Sequence, residues 1–411
     1  MTKILKMQNP IKEYAWGSRT AIAELLGEAS PSPVPQAEMW MGAHPSSPSR
    51  VQPDGRGEDV PLGEWIAESP AAILGPGVSA RHGGKLPFLM KVLAAAEPLS
   101  IQAHPDLEQA REGFARENRL GIPLDAPHRN YRDANHKPEL ICAVTPFWAM
   151  KGFRPPEEAR ELLAEACGNL LQPELSHLRT GENQAGIKLF FEALMAMDKA
   201  RAAKVVNGTL GRIRRQPGII PEYEWLERLA EKYPGDAGVL SPLFLNLIPL
   251  QKDEALYLGA RELHAYLEGV GIEIMANSDN VLRGGLTPKH VDVPELLSVL
   301  RFEQSPVKIL KPVEAGPGEW VYPAPSEEFS LSIVRVEPDN DYVAGKPRSL
   351  EMLLCMEGRA EVREAGSGLP ADLPKGGAVV IPADVGGYSV KGGAKLYKAS
   401  IPFESENAPA R

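Results

Sequence analysis

Cysteine is scarce: Cys142, Cys167 and Cys355 are the only three in 411 residues, and they lie far apart. Neither a disulfide framework nor a thiolate zinc cluster is expected from them. Cations are not in excess. Lys plus Arg number 45 against 54 Asp plus Glu, a formal net charge of −9, so no sequence-independent attraction to a nucleic-acid backbone is expected. Any anionic small substrate would need a local basic pocket. Long apolar runs are also lacking. The stretch from Leu243 to Leu250 is interrupted by Asn246 and Pro249, well short of the roughly 20 residues that span a bilayer. Residues Met1 to Pro10 include Lys3 and Lys6 but no apolar core and no small-residue cleavage site, so no secretory signal is expected. These absences predict a cytoplasmic protein with neither nucleic-acid nor membrane partners.

Glycine (38) and proline (39) are plentiful. Across 1–150 and 305–411 they punctuate short runs rich in Val, Ile, Leu and Phe, the pattern of a sandwich or barrel. Between Pro155 and about Tyr257 the texture changes. Pro156–Ala166, Lys188–Val206 and Glu222–Lys232 carry apolar residues at three- and four-residue intervals, which predicts helices. Pro155 and Pro156 precede Glu157 and Glu158, suiting a helix start because proline lacks a donor unneeded there and acids favour the dipole. Asn207-Gly208 reads as a turn. The last hundred residues suggest a small β unit: Phe329–Val336, Leu350–Met356, a Glu357-Gly358 turn, Ala360–Arg363, then Gly376–Pro382. That order resembles half of a cupin-type jelly roll, but the segment contains no histidine and so lacks the ligands that catalytic cupins use.

Three polar rows stand out. In Leu99–His104 a two-residue period would put Ser100, Gln102 and His104 on one face, with Leu99, Ile101 and Ala103 on the other. In Asn135–Leu140 the same argument pairs Lys137 with Glu139, and in Glu262–Leu267 it aligns Glu262, His264 and Tyr266. A fourth stretch, from Gly269 to Lys289, gathers Glu273, Ser278, Asp279, Asn280, Arg283, Thr287 and Lys289 in turn-rich chain, which is costly to bury unless it serves a site. Arg283 and Lys289 supply the local positive charge a phosphorylated substrate would need.

These residues together resemble the type I phosphomannose isomerases. The resemblance is carried by Tyr14-Ala15-Trp16-Gly17-Ser18, Glu38-Met39-Trp40-Met41-Gly42-Ala43-His44-Pro45, Pro98 to Asp106, and His136-Lys137-Pro138-Glu139-Leu140. It continues in His264-Ala265-Tyr266-Leu267, Ser278 to Arg283, and Leu286-Thr287-Pro288-Lys289. The blocks span residues 14–292.

What the resemblance implies is specific. The fold would be mainly β with an α-helical insertion: a cupin-like jelly-roll catalytic core from 1–152 and 253–320, a helical domain from 153–252, and a small C-terminal jelly-roll domain from 321–411. One Zn2+ per chain would be held by Gln102, His104, Glu139 and His264. Two imidazoles and a carboxylate are a plausible catalytic-zinc set with one open position. The amide of Gln102 hardens the site enough for cobalt or manganese to substitute. Ser100, Tyr266 and Lys289 would bind a sugar phosphate. Arg283, Lys137, His136, Asp279 and Glu273 would be the candidates for catalysis, with strand alternation turning His136 away from Lys137. The expected reaction interconverts mannose 6-phosphate and fructose 6-phosphate through an enediolate, in a monomer. Two other readings are a cupin-type metalloenzyme of another class, such as a dioxygenase, and a non-catalytic sugar-binding β protein. A glutamine in place of a third histidine argues against the first, and the density of polar residues in the fourth stretch argues against the second.

Overall fold

The computed structural model describes residues 3–53, 57–178, 183–215, 218, 220–366 and 369–402. Two antiparallel β assemblies dominate it. In the first, the strands run in the order Ile309–Leu310, Ala255–Leu258, Glu139–Ala143, His264–Ala276, Phe88–Ala95, Glu38–Gly42 and Ile11–Lys12. A second face adds Leu245–Leu250, Phe147–Phe153, Gln102–Ala103 and Leu282–Arg283. The strand His264–Ala276 belongs to both. Its first residues pair with Phe147–Phe153 and its last with Phe88–Ala95 and Glu139–Ala143, the corner falling at Gly269. Gly269 has φ +126°, and a β-carbon there would stand 2.7 Å from Pro146 O, so only glycine fits the bend.

The polar rows are less regular than simple alternation suggests. Of Leu99–His104 only Gln102–Ala103 is strand, pairing with His264 on one side and Arg283 on the other. This places the first row directly beside the third and fourth.

Helices Pro156–Cys167, Asn183–Met195, Lys199–Ile213 and Pro221–Lys232 follow the apolar spacing. The third is capped by Asp198, whose side chain accepts from Arg201 N at 2.7 Å. It runs through Asn207-Gly208, which is helix rather than a turn. Leu163, Phe190, Phe191, Val205, Leu226 and Leu229 pack with Ile101, Ala103, Leu263, Ala265 and Leu282 into one core. The helices thus back the strands that carry the polar rows. Within the stretch read as helical, Leu245–Leu250 is a strand paired with Phe147–Phe153. Pro249 is tolerated there because the strand lies at an edge.

The second assembly orders Val313–Gly316, Glu319–Val321, Ser330–Val336, Tyr388–Ser400, Glu351–Glu364, Ala378–Ile381, Leu5–Gln8, Arg50–Val51 and Val60–Pro61. Three differences from the sequence reading appear here. The strands Val313–Gly316 and Glu319–Val321, read as far as residue 320 as part of the catalytic core, join this sheet. The chain's first strand also sits here, with Leu5 opposite Val380. Glu357-Gly358 is no turn: Glu351–Glu364 is one strand, bulged between Cys355 and Glu357. Gly358 has φ +76°, and a β-carbon would come within 1.9 Å of Gly393 O. That glycine marks a close strand approach, which composition alone does not separate from a turn.

Candidate metal centre and adjoining cavity

His104, Glu139 and His264 converge in the interior, 1%, 3% and 3% exposed. Glu139 Oε1 stands 3.3 Å from His104 Nε2, and Glu139 Oε2 stands 3.4 Å from His264 Nε2. One donor atom from each residue lies within 4.8 Å of the others. The imidazole tautomers follow from their outer contacts. His104 Nδ1 donates to Asn280 O at 2.7 Å and His264 Nδ1 to Glu262 O at 3.0 Å, which leaves a lone pair on each Nε2. Burial lowers the His104 pKa to about 4, with Glu139 opposing the shift, so the ring is neutral and able to ligate. Its Nε2 is fully buried yet has no hydrogen-bond partner among the described residues. Burial pushes Glu139 up, but Lys137, with Nζ 3.2 Å from Oε1, and the two histidines outweigh it and hold the carboxyl well below its usual range. An orphaned imidazole nitrogen, a second imidazole and an ionised carboxylate form a donor set that fits a divalent cation such as zinc. Gln102, in register with His264, lines the cavity beside them.

This cluster opens into a cavity of about 550 Å³. Of the candidates from the sequence, Ser100, Gln102, Lys137, Glu139, His264, Tyr266, Glu273, Asp279, Arg283 and Lys289 all line it. His104 sits behind this wall with the metal-ligand candidates, and His136 lies away from it. His136 Nε2 meets Glu328 Oε1 at 2.6 Å, and it is absent from the cavity wall, because the segment around Ser326–Glu328 supplies a carboxylate partner on its other side.

Several residues that shape the cavity were not singled out in the sequence. Lys91 is buried with Nζ 2.7 Å from Glu273 and 3.5 Å from Glu38. Burial opposes its charge, but the two carboxylates prevail and raise its pKa. Burial also raises Glu273, against the pull of Lys91, and the neighbouring Glu139 and Glu38 add to the rise. Trp40 Nε1 donates to Glu38 Oε2 at 2.8 Å. Glu273 is therefore held in an ion-pair network. His44 Nε2 stands 3.4 Å from Asp279 Oδ1, and this contact lowers the Asp279 pKa. The only sequence hint of these partners was that Glu38, Trp40 and His44 fall in one of the resembling blocks. Lys91 lies hidden in the apolar run Phe88–Ala95.

Comparison with known proteins agrees with this geometry. The family model "Phosphomannose isomerase type I, catalytic domain" matches residues 4–156. Mannose-6-phosphate isomerase of Escherichia coli (strain K12) is 41% identical over 396 residues, covering 95% of this chain and 98% of that one. The Homo sapiens enzyme of the same name is 33% identical over 409 residues, covering 93% and 94%. Among solved structures, a point mutant of phosphomannose isomerase from Salmonella typhimurium superposes with a TM-score of 0.89 at 40% identity. It covers 98% of this chain and 100% of that one. A zinc-bound holo mannose 6-phosphate isomerase gives the same TM-score, identity and coverage.

Proposed function

The chain belongs to the type I phosphomannose isomerases, and from that membership we propose how its own residues divide the work. The protein is a zinc-dependent aldose-ketose isomerase that interconverts mannose 6-phosphate and fructose 6-phosphate. The observation that carries the reading is the buried His104, Glu139 and His264 set, with its orphaned Nε2, opening on a cavity that also presents Arg283 and Lys289.

In the proposed assignment Gln102, His104, Glu139 and His264 hold the metal. Zinc, when bound, supplies Lewis acidity for the negative charge that builds up as a carbon-bound proton leaves. Lys289 anchors the phosphate, and Ser100 and Tyr266 contact the sugar; their binding energy fixes C1 and C2 against the reacting groups. Tyr266 suits this role because it lines the cavity and its buried hydroxyl has no hydrogen-bond partner among the described residues. The isomerisation moves a proton from one of these carbons to the other and a second proton between the two oxygens. Lys137 and Asp279 are the proposed proton carriers: both line the cavity, each with a single ion-pair partner among the described residues, Glu139 and His44, whereas His136 is absent from the cavity wall and Glu273 is buried in the network of Lys91 and Glu38. Arg283 stabilises the enediolate charge. We propose a monomer working in the cytoplasm; among the described residues no helix is long and apolar enough to cross a membrane.

A coupled assay with both sugar phosphates tests this reading. Activity in both directions is expected, lost on chelation and restored by zinc. His264→Ala should lose both zinc and activity; stoichiometric zinc retained by that variant, measured by elemental analysis, would reject the ligand assignment.

A further inference from the structure

A third cation, Arg132, lies outside the cavity wall on a neighbouring loop. Arg283 and Lys289 line the cavity, and neither forms an ion pair with any described carboxylate. Arg132 lies outside the resembling blocks, four residues before His136, and its side chain is exposed with no ion pair among the described residues. Its position is fixed through its backbone. Arg132 N donates to Asn280 Oδ1 at 2.7 Å, and Asn280 Nδ2 donates to Asp133 O and to Asn135 O, each at 2.9 Å. Ser278 Oγ donates to Asp133 Oδ1 at 2.9 Å and Asp279 N to Asp133 Oδ2 at 2.7 Å. Asn280 is completely buried. These bonds tie the Arg132 loop to the loop that leads into Arg283, three residues beyond Asn280.

The consequence is electrostatic. Arg132 is near enough to lower the pKa of both Arg283 and Lys289, after the larger effect of burial. Arg132 also acts on Asp279, but that carboxylate is engaged by His44. The three positive charges thus feel one another in a chain with net charge −9. Such repulsion opposes folding and is relieved only when an anion arrives.

We propose that Arg132 is a substrate-binding residue, forming with Lys289 a cationic pair that takes the phosphate dianion, while Arg283, opposite Gln102, stays with the enediolate. The inference rests on the reading of Lys289 as a phosphate anchor, which it extends to a residue on a separate loop. An exposed guanidinium on a tethered loop can reach a phosphate by two parallel hydrogen bonds, and it steers the incoming anion before contact.

The test is steady-state kinetics of the zinc-loaded enzyme with mannose 6-phosphate, with inorganic phosphate as a competitive probe. Arg132→Gln should raise KM and the phosphate inhibition constant together, on the order of tenfold, the worth of one charged hydrogen bond. It should also flatten the dependence of kcat/KM on ionic strength, and Arg132→Lys should recover much of the loss. If Lys289→Ala raises both constants while Arg132→Gln changes neither, the inference falls and the phosphate reading stands. If neither variant changes either constant, both fall. A lower kcat at constant KM in Arg132→Gln would also overturn the proposal, because it would mark a group acting on Asp279 instead of on phosphate.

Discussion

Arg283 and Lys289 are six residues apart in sequence but occupy different surroundings. Arg283 is partly buried in a short strand, directly opposite Gln102, whereas Lys289 is exposed in the loop beyond Thr287. Arginine can fork two hydrogen bonds onto substrate oxygens, while lysine acts as a point charge. Lys289→Ala should therefore mainly raise KM, by about 1.5 kcal/mol or roughly tenfold. Arg283→Ala should mainly lower kcat at nearly constant KM if it stabilises the enediolate. Equal effects on KM alone from both variants would make Arg283 a second phosphate anchor. At this scale the sequence was legible where a residue's chemistry is its role: the blocks named the converging donors His104, Glu139 and His264. It was silent where the role depends on a distant partner. Lys91 meets Glu273 across 182 residues and His136 meets Glu328 across 192, and no two-residue alternation can disclose such pairs.

The element that matters most for the site is the strand His264–Ala276, because it carries a metal-ligand candidate at its start and Glu273 near its end. Gly269 lets it turn the corner between the two faces. Gly269→Ala would force an L residue to adopt φ +126° and drive a methyl into Pro146 O and the Phe147 backbone. Strain and overpacking together should cost roughly 2–4 kcal/mol, measured by denaturant unfolding. By shifting His264 relative to Glu139, the same variant should bind zinc more weakly. A loss below about 0.5 kcal/mol, within the range of a neutral surface change, would show that the corner does not depend on glycine. Periodicity located the helices and several strands well, since both patterns are local. It misjudged Glu357-Gly358 and Asn207-Gly208, where glycine serves the packing of neighbouring elements and not chain reversal.

The whole molecule folds its two β assemblies around a shared core. Leu5, Met39, Phe88, Leu140 and Ile272 belong to one hydrophobic cluster with Leu331, Met352, Val380 and Tyr397, so the outer face of the catalytic sheet is covered by the C-terminal sheet. Polar ties cross the same boundary. Tyr322 OH donates to Asp253 O at 2.8 Å and lies 2.9 Å from Cys142 Sγ, while Arg335 and Lys395 hold the Asp253 carboxylate. The first strand, Leu5–Gln8, completes the last sheet. A boundary drawn from composition cannot see this, because the contacts join the two ends of the chain. The physical consequence is that neither unit can bury its apolar face alone, so unfolding should be a single cooperative transition. Leu331 and Ile272 are both fully buried, one in each assembly. Leu331→Ala and Ile272→Ala should each lower the same transition by about 2–5 kcal/mol. Circular dichroism, tryptophan fluorescence and loss of isomerase activity should trace one curve in each variant. Two separated transitions, with Leu331→Ala moving only the one that leaves activity intact, would instead establish the C-terminal sheet as an independent unit and sever it from the architecture of the active cavity.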